Sequence, residues 1–178
     1  MRNAYSPLPE LNLLKEFEER LGPVCYSDGF ELREYGADAG LHTWSDHPAF
    51  LSRFLPFAQA NGSGSDYALW RCDQRTDLAS LPVVFVGDEG DLYVIARNLR
   101  ELFRLLALDS EPMSDFGFLG AGSGDGGHSE GHREFLDWLH QHFGLGPPED
   151  VDALWAERAA LDDQFRAWAG NFVERGAR

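Results

Sequence analysis

Two apolar runs flanking an acidic turn, PVVFVGDEGDLYVIA from Pro82 to Ala96, constrain this chain more than any other stretch. Val83–Val86 and Leu92–Ala96 are rich in β-branched and aromatic side chains, whose stiff χ1 angles suit a pleated strand better than a helix. Gly87-Asp88-Glu89-Gly90 between them offers glycines for positive φ, which a tight hairpin needs. Pro82 suits the first residue of a strand, where its missing N–H costs least. Upstream, Arg53–Gln59 and Tyr67–Cys72 read as two more strands. In the second, Tyr67, Leu69 and Arg71 share one face and Ala68, Trp70 and Cys72 the other. Asn61-Gly62-Ser63-Gly64-Ser65 is then the corner between them, with Ser63 and Ser65 expected to face solvent and Gly62 or Gly64 to take positive φ. Phe30–Tyr35 also alternates, after a corner at Asp28-Gly29.

Helical spacing brackets these strands. Leu11, Leu14, Phe17 and Leu21 recur three and four apart, and Gly22-Pro23 ends that helix. Asn98 reads as a helix cap, with Glu101 three residues on and Leu99, Leu102, Phe103, Leu105 and Leu106 as the buried stripe, ending near Leu108. Ser114–Gly131 is a glycine-rich loop. Phe135, Leu136, Leu139 and Phe143 mark a further helix closed by Gly144. Val151, Leu154, Leu161, Phe165, Trp168 and Phe172 mark a last one, starting about Asp150. The order of elements predicts an α+β fold: an antiparallel sheet of about four to six strands with helices before and after it. Residues 1–112 are expected to form an α+β domain and residues 113–178 a glycine-rich loop and helical extension packed on it, the last helix being patterned to pack on the sheet or on a partner.

A formal net charge of −15 over 178 residues repels nucleic-acid phosphates and anionic lipid headgroups, and steers basic partners toward the chain. No apolar run approaches the ~18 residues that span a bilayer, and the N-terminal residues do not lead into a signal-peptide core. The expectation is a soluble, cytoplasmic protein. Cys25 and Cys72 are too few for a disulfide framework or a zinc knuckle, and each reads as a small buried hydrophobe.

Motifs that carry chemistry are sparse. The glycine-serine loop lacks the lysine of a phosphate-binding loop and leads into a strand, not a helix. His42, Asp46 and His47 lie close together in sequence. His128 and His132 sit four apart around Glu130, but Gly127 and Gly131 resist helix there, and zinc-protease helices carry the glutamate directly after the first histidine. His140 and His142 read as a solvated face. Asp88, Glu89 and Asp91 crowd one turn, where they could act as an acid and base pair or simply be solvated caps. The tryptophans read as core or interface anchors. No catalytic residue, metal ligand or cofactor is expected.

"LPFAQANGSGSDYALWR" from Leu55, then "PVVFVGDEG" and "YVIARNLRELFRLLA", resemble in order the sheet and following helix of the SMI1/KNR4 (SUKH) superfamily, over Leu55–Ala107. The region Val24–Gly29 matches the family's pattern only loosely, and the chain from Met113 onward has no counterpart there. The resemblance implies that residues 1–112 are an SMI1/KNR4-like domain and the chain a non-enzymatic protein-binding module. Bacterial relatives are mostly cytosolic immunity proteins that neutralise toxins, frequently nucleases, and fungal ones regulate cell-wall synthesis. The expected partner is a basic toxin domain, met by the hairpin acids Asp88, Glu89 and Asp91 and the loop acids Asp115 and Asp125. The alternatives are a small hydrolase using that carboxylate cluster or a histidine-bound metal, and a cytosolic regulatory module with no toxin.

Overall fold

The computed structural model describes residues 4–113, 117–118 and 127–173. It is α+β, built on a five-stranded antiparallel sheet in the order β1-β2-β3-β4-β5. The strands are β1 (Glu31–Leu32), β2 (Phe54–Gln59), β3 (Asp66–Trp70), β4 (Val83–Val86) and β5 (Leu92–Ala96). Helix α1 (Pro9–Leu21) and the short α2 (Pro48–Leu51) come before the sheet's long strands, and α3 (Leu99–Leu106), α4 (His132–Phe143) and α5 (Val151–Ala169) follow. A separate two-stranded ribbon pairs β6 (Pro112–Met113) with β7 (Gly117–Phe118).

The β4–β5 hairpin forms as its sequence dictates. Val86 pairs with Leu92, the Gly87 N–H donates to the Asp91 carbonyl at 2.7 Å, and Gly90 takes φ +104. In β2, Pro56 sits beside a register shift between Pro56 and Ala58, where a missing N–H is tolerated. Of the alternating Phe30–Tyr35 segment only Glu31–Leu32 pairs as strand. Beyond it the chain leaves the ladder, with the Gly36 N–H on the Pro56 carbonyl.

Both faces of this sheet are buried. Tyr67, Leu69, Val83, Phe85, Tyr93 and Ile95 face a core shared with Leu11, Leu14 and Phe17 of α1, Leu102 and Phe103 of α3, and Phe135 and Trp138 of α4. The alternate residues Ala68, Trp70, Val84, Val86 and Val94 face a second core with Phe50, Phe54, Phe165 and Ala169. This explains why all four residues of β4 are buried and apolar: a strand covered on both sides has no solvent face to carry polar side chains.

Helix α5 wraps the β5 edge. Its early Leu154 belongs to the first core and its late Phe165 and Ala169 to the second. Between them, Asp162 Oδ1 accepts the Val94 N–H at 2.8 Å, and the Arg158 guanidinium donates to the Val94 carbonyl. The outward main-chain groups of an edge strand, which would otherwise template another strand, are thereby occupied by side chains. Arg97 strengthens the junction by pairing with Glu101 of α3 at 2.7 Å and Glu157 of α5 at 2.6 Å.

Helix ends follow sequence logic with one adjustment. The Asn98 side chain accepts the Glu101 N–H at 2.9 Å, but the Glu101 carboxylate reaches back to the Arg97 N–H and not to that of Asn98. Cys25 departs from its expected burial. It is exposed on the turn after α1, with its thiol on the Ser27 carbonyl at 3.3 Å, while Cys72 is half-buried at the fringe of both cores. A turn that spends its backbone on docking other loops leaves the small thiol outward.

Candidate functional site

The 61–65 loop between β2 and β3, the β4–β5 hairpin and the turn before β1 all lie at one end of the sheet. Register requires it, since Gln59 pairs with both Glu31 and Asp66, and Asp66 pairs with Val86. The segment after α3 closes onto the same end, where the Gly62 N–H donates to Glu111 Oε1 at 3.1 Å and the Asp28 N–H to Asp109 Oδ1 at 2.9 Å.

The loop at this end is built by side chains. Asn61 Oδ1 accepts the N–H groups of Gly64 and Ser65 and the Ser63 hydroxyl, folding the loop around one amide oxygen. Gly64 takes φ +118, while Gly62 is not in the left-handed region. Ser63 is exposed, as expected, but Ser65 is buried at 1% exposure. Its hydroxyl donates to Asp88 Oδ1 at 2.6 Å and accepts the Asp88 N–H at 3.2 Å, and the Ser63 hydroxyl, whose one proton is shared with Asn61, lies 3.0 Å from the same Asp88 oxygen. Ser65 departs from its expected solvent exposure because the loop folds it back against the hairpin.

Asp88 therefore ties the hairpin to the loop as well as carrying charge. The Ser65 hydroxyl, with that of Ser63, holds its carboxyl below the usual carboxylate range. A general acid would need the opposite shift. We expect Ser65→Ala to cost about 1 kcal/mol from the lost buried hydroxyl and to let Asp88 titrate nearer its ordinary value, with Ser63→Ala costing less. Urea unfolding and carboxyl NMR titrations of both variants check this; equal effects from the two would contradict the buried geometry.

Glu89 is exposed and Asp91 half-buried on the same hairpin, and Asp28 and Glu111 stand across the loop. Burial, then the negative charges of Glu111 and Asp109, raise the Asp28 carboxyl above its ordinary value. None of Asp28, Asp88, Glu89, Asp91 and Glu111 pairs with a lysine or arginine among the described residues. Asp115 and Asp125 lie outside the described residues. His42 and Asp46 pair at 2.9 Å on an exposed turn elsewhere, and His140 and His142 are exposed on α4.

Asp109 anchors a second arrangement that sequence reading missed. It follows α3 at φ +54, in the left-handed region, with its side chain only 2% exposed. One carboxylate oxygen accepts the Asp28 N–H and the Ser129 hydroxyl, and the other the Ser129 N–H at 2.6 Å. These bonds dock the segment ahead of α4. His128 Nδ1 then lies 3.3 Å and His132 Nδ1 3.9 Å from Asp109 Oδ2, with the two rings stacked 4.5 Å apart. Burial is the largest single influence on Asp109 and opposes its ionisation, but the Ser129 bonds, His132 and the Asp28 N–H together outweigh it and set the carboxyl below its usual range. Burial pushes the His132 imidazole down. The sequence offered a histidine pair around Glu130, but Glu130 is exposed and the shared carboxylate comes from the end of α3.

A groove of ≈ 660 Å³ passes close by, with Glu18, Cys25, Tyr26 and Phe30 in its wall. Glu18 is already committed, accepting the Tyr26 hydroxyl at 2.9 Å and the Leu32 N–H at 3.1 Å. No helix among the described residues is long and apolar enough to cross a membrane. The chain matches no family model, no curated protein and no solved structure.

Proposed function

We propose that this chain is a cytoplasmic, non-enzymatic protein-binding module of the SUKH kind, an immunity protein whose acidic sheet end receives a basic toxin domain. The observation that carries the reading is the convergence of Asp28, Asp88, Glu89, Asp91 and Glu111 at one end of the sheet, without lysine or arginine partners among the described residues. Charges left unpaired at one end of a chain of net charge −15 add their fields outward, which raises encounter rates with a cationic surface. Two buried faces and an edge sealed by α5 leave the loop ends as the natural contact surface. The downward shift of Asp88 does not suit a general acid.

Capture of the partner from the source cell, followed by association kinetics, tests the proposal. The association rate is expected to fall about tenfold or more between about 50 and about 300 mM salt, as the Debye length shortens. The combined variant Asp28→Asn, Glu89→Gln, Asp91→Asn and Glu111→Gln should show a slower rate and a flatter salt dependence. Asp88 is left in place because it holds the loop. An unchanged rate in that variant removes this end from the interface, and a partner lacking a basic surface removes the electrostatic argument.

A further inference from the structure

We infer that Asp109, His128 and His132 form a divalent transition-metal site, suited to zinc, that joins the end of α3 to the start of α4 and leaves a coordination position open to solvent. Their ligand atoms lie within 4.8 Å of one another. Around a tetrahedral ion with bonds of ~2.1 Å, ligand atoms stand about 3.4 Å apart. The Asp109–His128 separation of 3.3 Å already matches, and the Asp109–His132 separation of 3.9 Å needs closure of only about half an ångström.

Four further observations separate this cluster from a chance meeting of polar groups. His132 Nδ1 is buried, with its side chain only 9% exposed, and makes no hydrogen bond to the described residues while facing Asp109. A buried ring nitrogen without a partner is costly, and 3.9 Å is too long for a hydrogen bond to supply the deficit. A cation between the two would satisfy both.

The carboxylate, meanwhile, is oriented before any ion arrives. The Ser129 hydroxyl and N–H and the Asp28 N–H fix Asp109, as the outer hydrogen bonds of metal-ligating carboxylates do. The histidine segment is fixed too, because the Gly131 N–H donates to the Cys25 carbonyl at 2.8 Å and a Cβ on Gly131 would meet Leu21 at 2.8 Å. Finally, His128 is 59% exposed while the other two ligands are buried, so one side is open for entry of the ion and for a bound water. Two histidines and one carboxylate with an open position are a ligand set that zinc accepts.

The full chain, stripped with a chelator and titrated with zinc chloride by calorimetry, tests this independently of any protein partner. One zinc per chain is expected, with a rise in Tm on zinc addition. Cobalt(II) in its place should give the visible absorption of a low-coordinate nitrogen and oxygen site. His128→Ala should weaken zinc binding by about 10- to 100-fold or more, with any loss of Tm in the stripped protein smaller than the zinc-dependent rise, since that ring is 59% exposed. His140→Ala with His142→Ala, on the solvated face of α4, should leave zinc binding intact. Absence of saturable binding would overturn the site. So would binding that survives His128→Ala, or binding lost with His140 and His142.

Discussion

Phe165→Ala is expected to lower the stability of the chain by about 3–5 kcal/mol, a large share of the ~5–15 kcal/mol that typically holds a domain together. Phe165 is fully buried at the centre of the second core, with its ring 5.0 Å from Trp70 and 6.3 Å from Phe54 in edge-to-face contact, and 6.0 Å from Trp168. Removing it leaves a void between α5 and the sheet that rigid aromatic neighbours cannot close. Because the same helix occupies the main chain of Val94, loosening it also exposes the β5 edge. Phe172→Ala, at a half-buried position of the same cluster, should cost distinctly less. Urea unfolding midpoints and dye binding to exposed apolar surface give the comparison. A loss below about 1 kcal/mol for Phe165→Ala would mean that α5 does not cover the sheet.

Gly29→Ala is the second substitution expected to have a large effect, about 2–5 kcal/mol from two additive causes. Gly29 has φ +69, where any Cβ is strained. Its Cβ would also stand 2.7 Å from Asn61 Cα and 3.2 Å from the Asn61 carbonyl carbon. Glu111, whose Oε1 lies at 2.7 Å, can swing aside, but the Asn61 backbone cannot move without opening the loop. Gly36→Ala isolates the conformational part, because Gly36 has φ +78 with nothing within 4 Å of a new Cβ. Equal losses in the two variants, read from unfolding curves, would show that the Gly29–Asn61 approach carries no weight. If the acidic end receives a basic partner as proposed, its association should weaken in step with the loss of loop order, since Gly29 adjoins that end.

The acidic end was legible in part. Glycines and carboxylates marked the hairpin as a turn with charge, and the turn formed where they stand. The hidden half was Ser65, because a serine in a loop carries no sign of the direction its hydroxyl takes. Only closure of the 61–65 loop onto the hairpin buried it against Asp88. The histidine cluster was less legible still. His128 and His132 were visible as a spaced pair, but Asp109 stands after another helix, in a segment with no local pattern to distinguish it from a surface acid. Its burial depends on Asp28 and Ser129, neither near it in sequence.

Local periodicity by itself determined the strands β2 to β5, the helices α1, α3, α4 and α5, the helix ends at Asn98 and Gly144, the start of α5 at about Asp150, and the α+β class. Those features rest on side-chain spacing, β-branching and backbone freedom, all of which act within a few residues. Tertiary structure alone decided which faces meet. An apolar run such as Val83–Val86 is consistent with burial on one side or both, and the second layer came from α5, whose Phe165 lies far along the chain from the Trp70 it packs against. The same holds for Cys25, which composition assigned to the core and chain topology left outside. Burial is a sum over neighbours brought from distant segments, so no local pattern can fix it, whereas the turn of a helix or the pleat of a strand needs only the residues beside it.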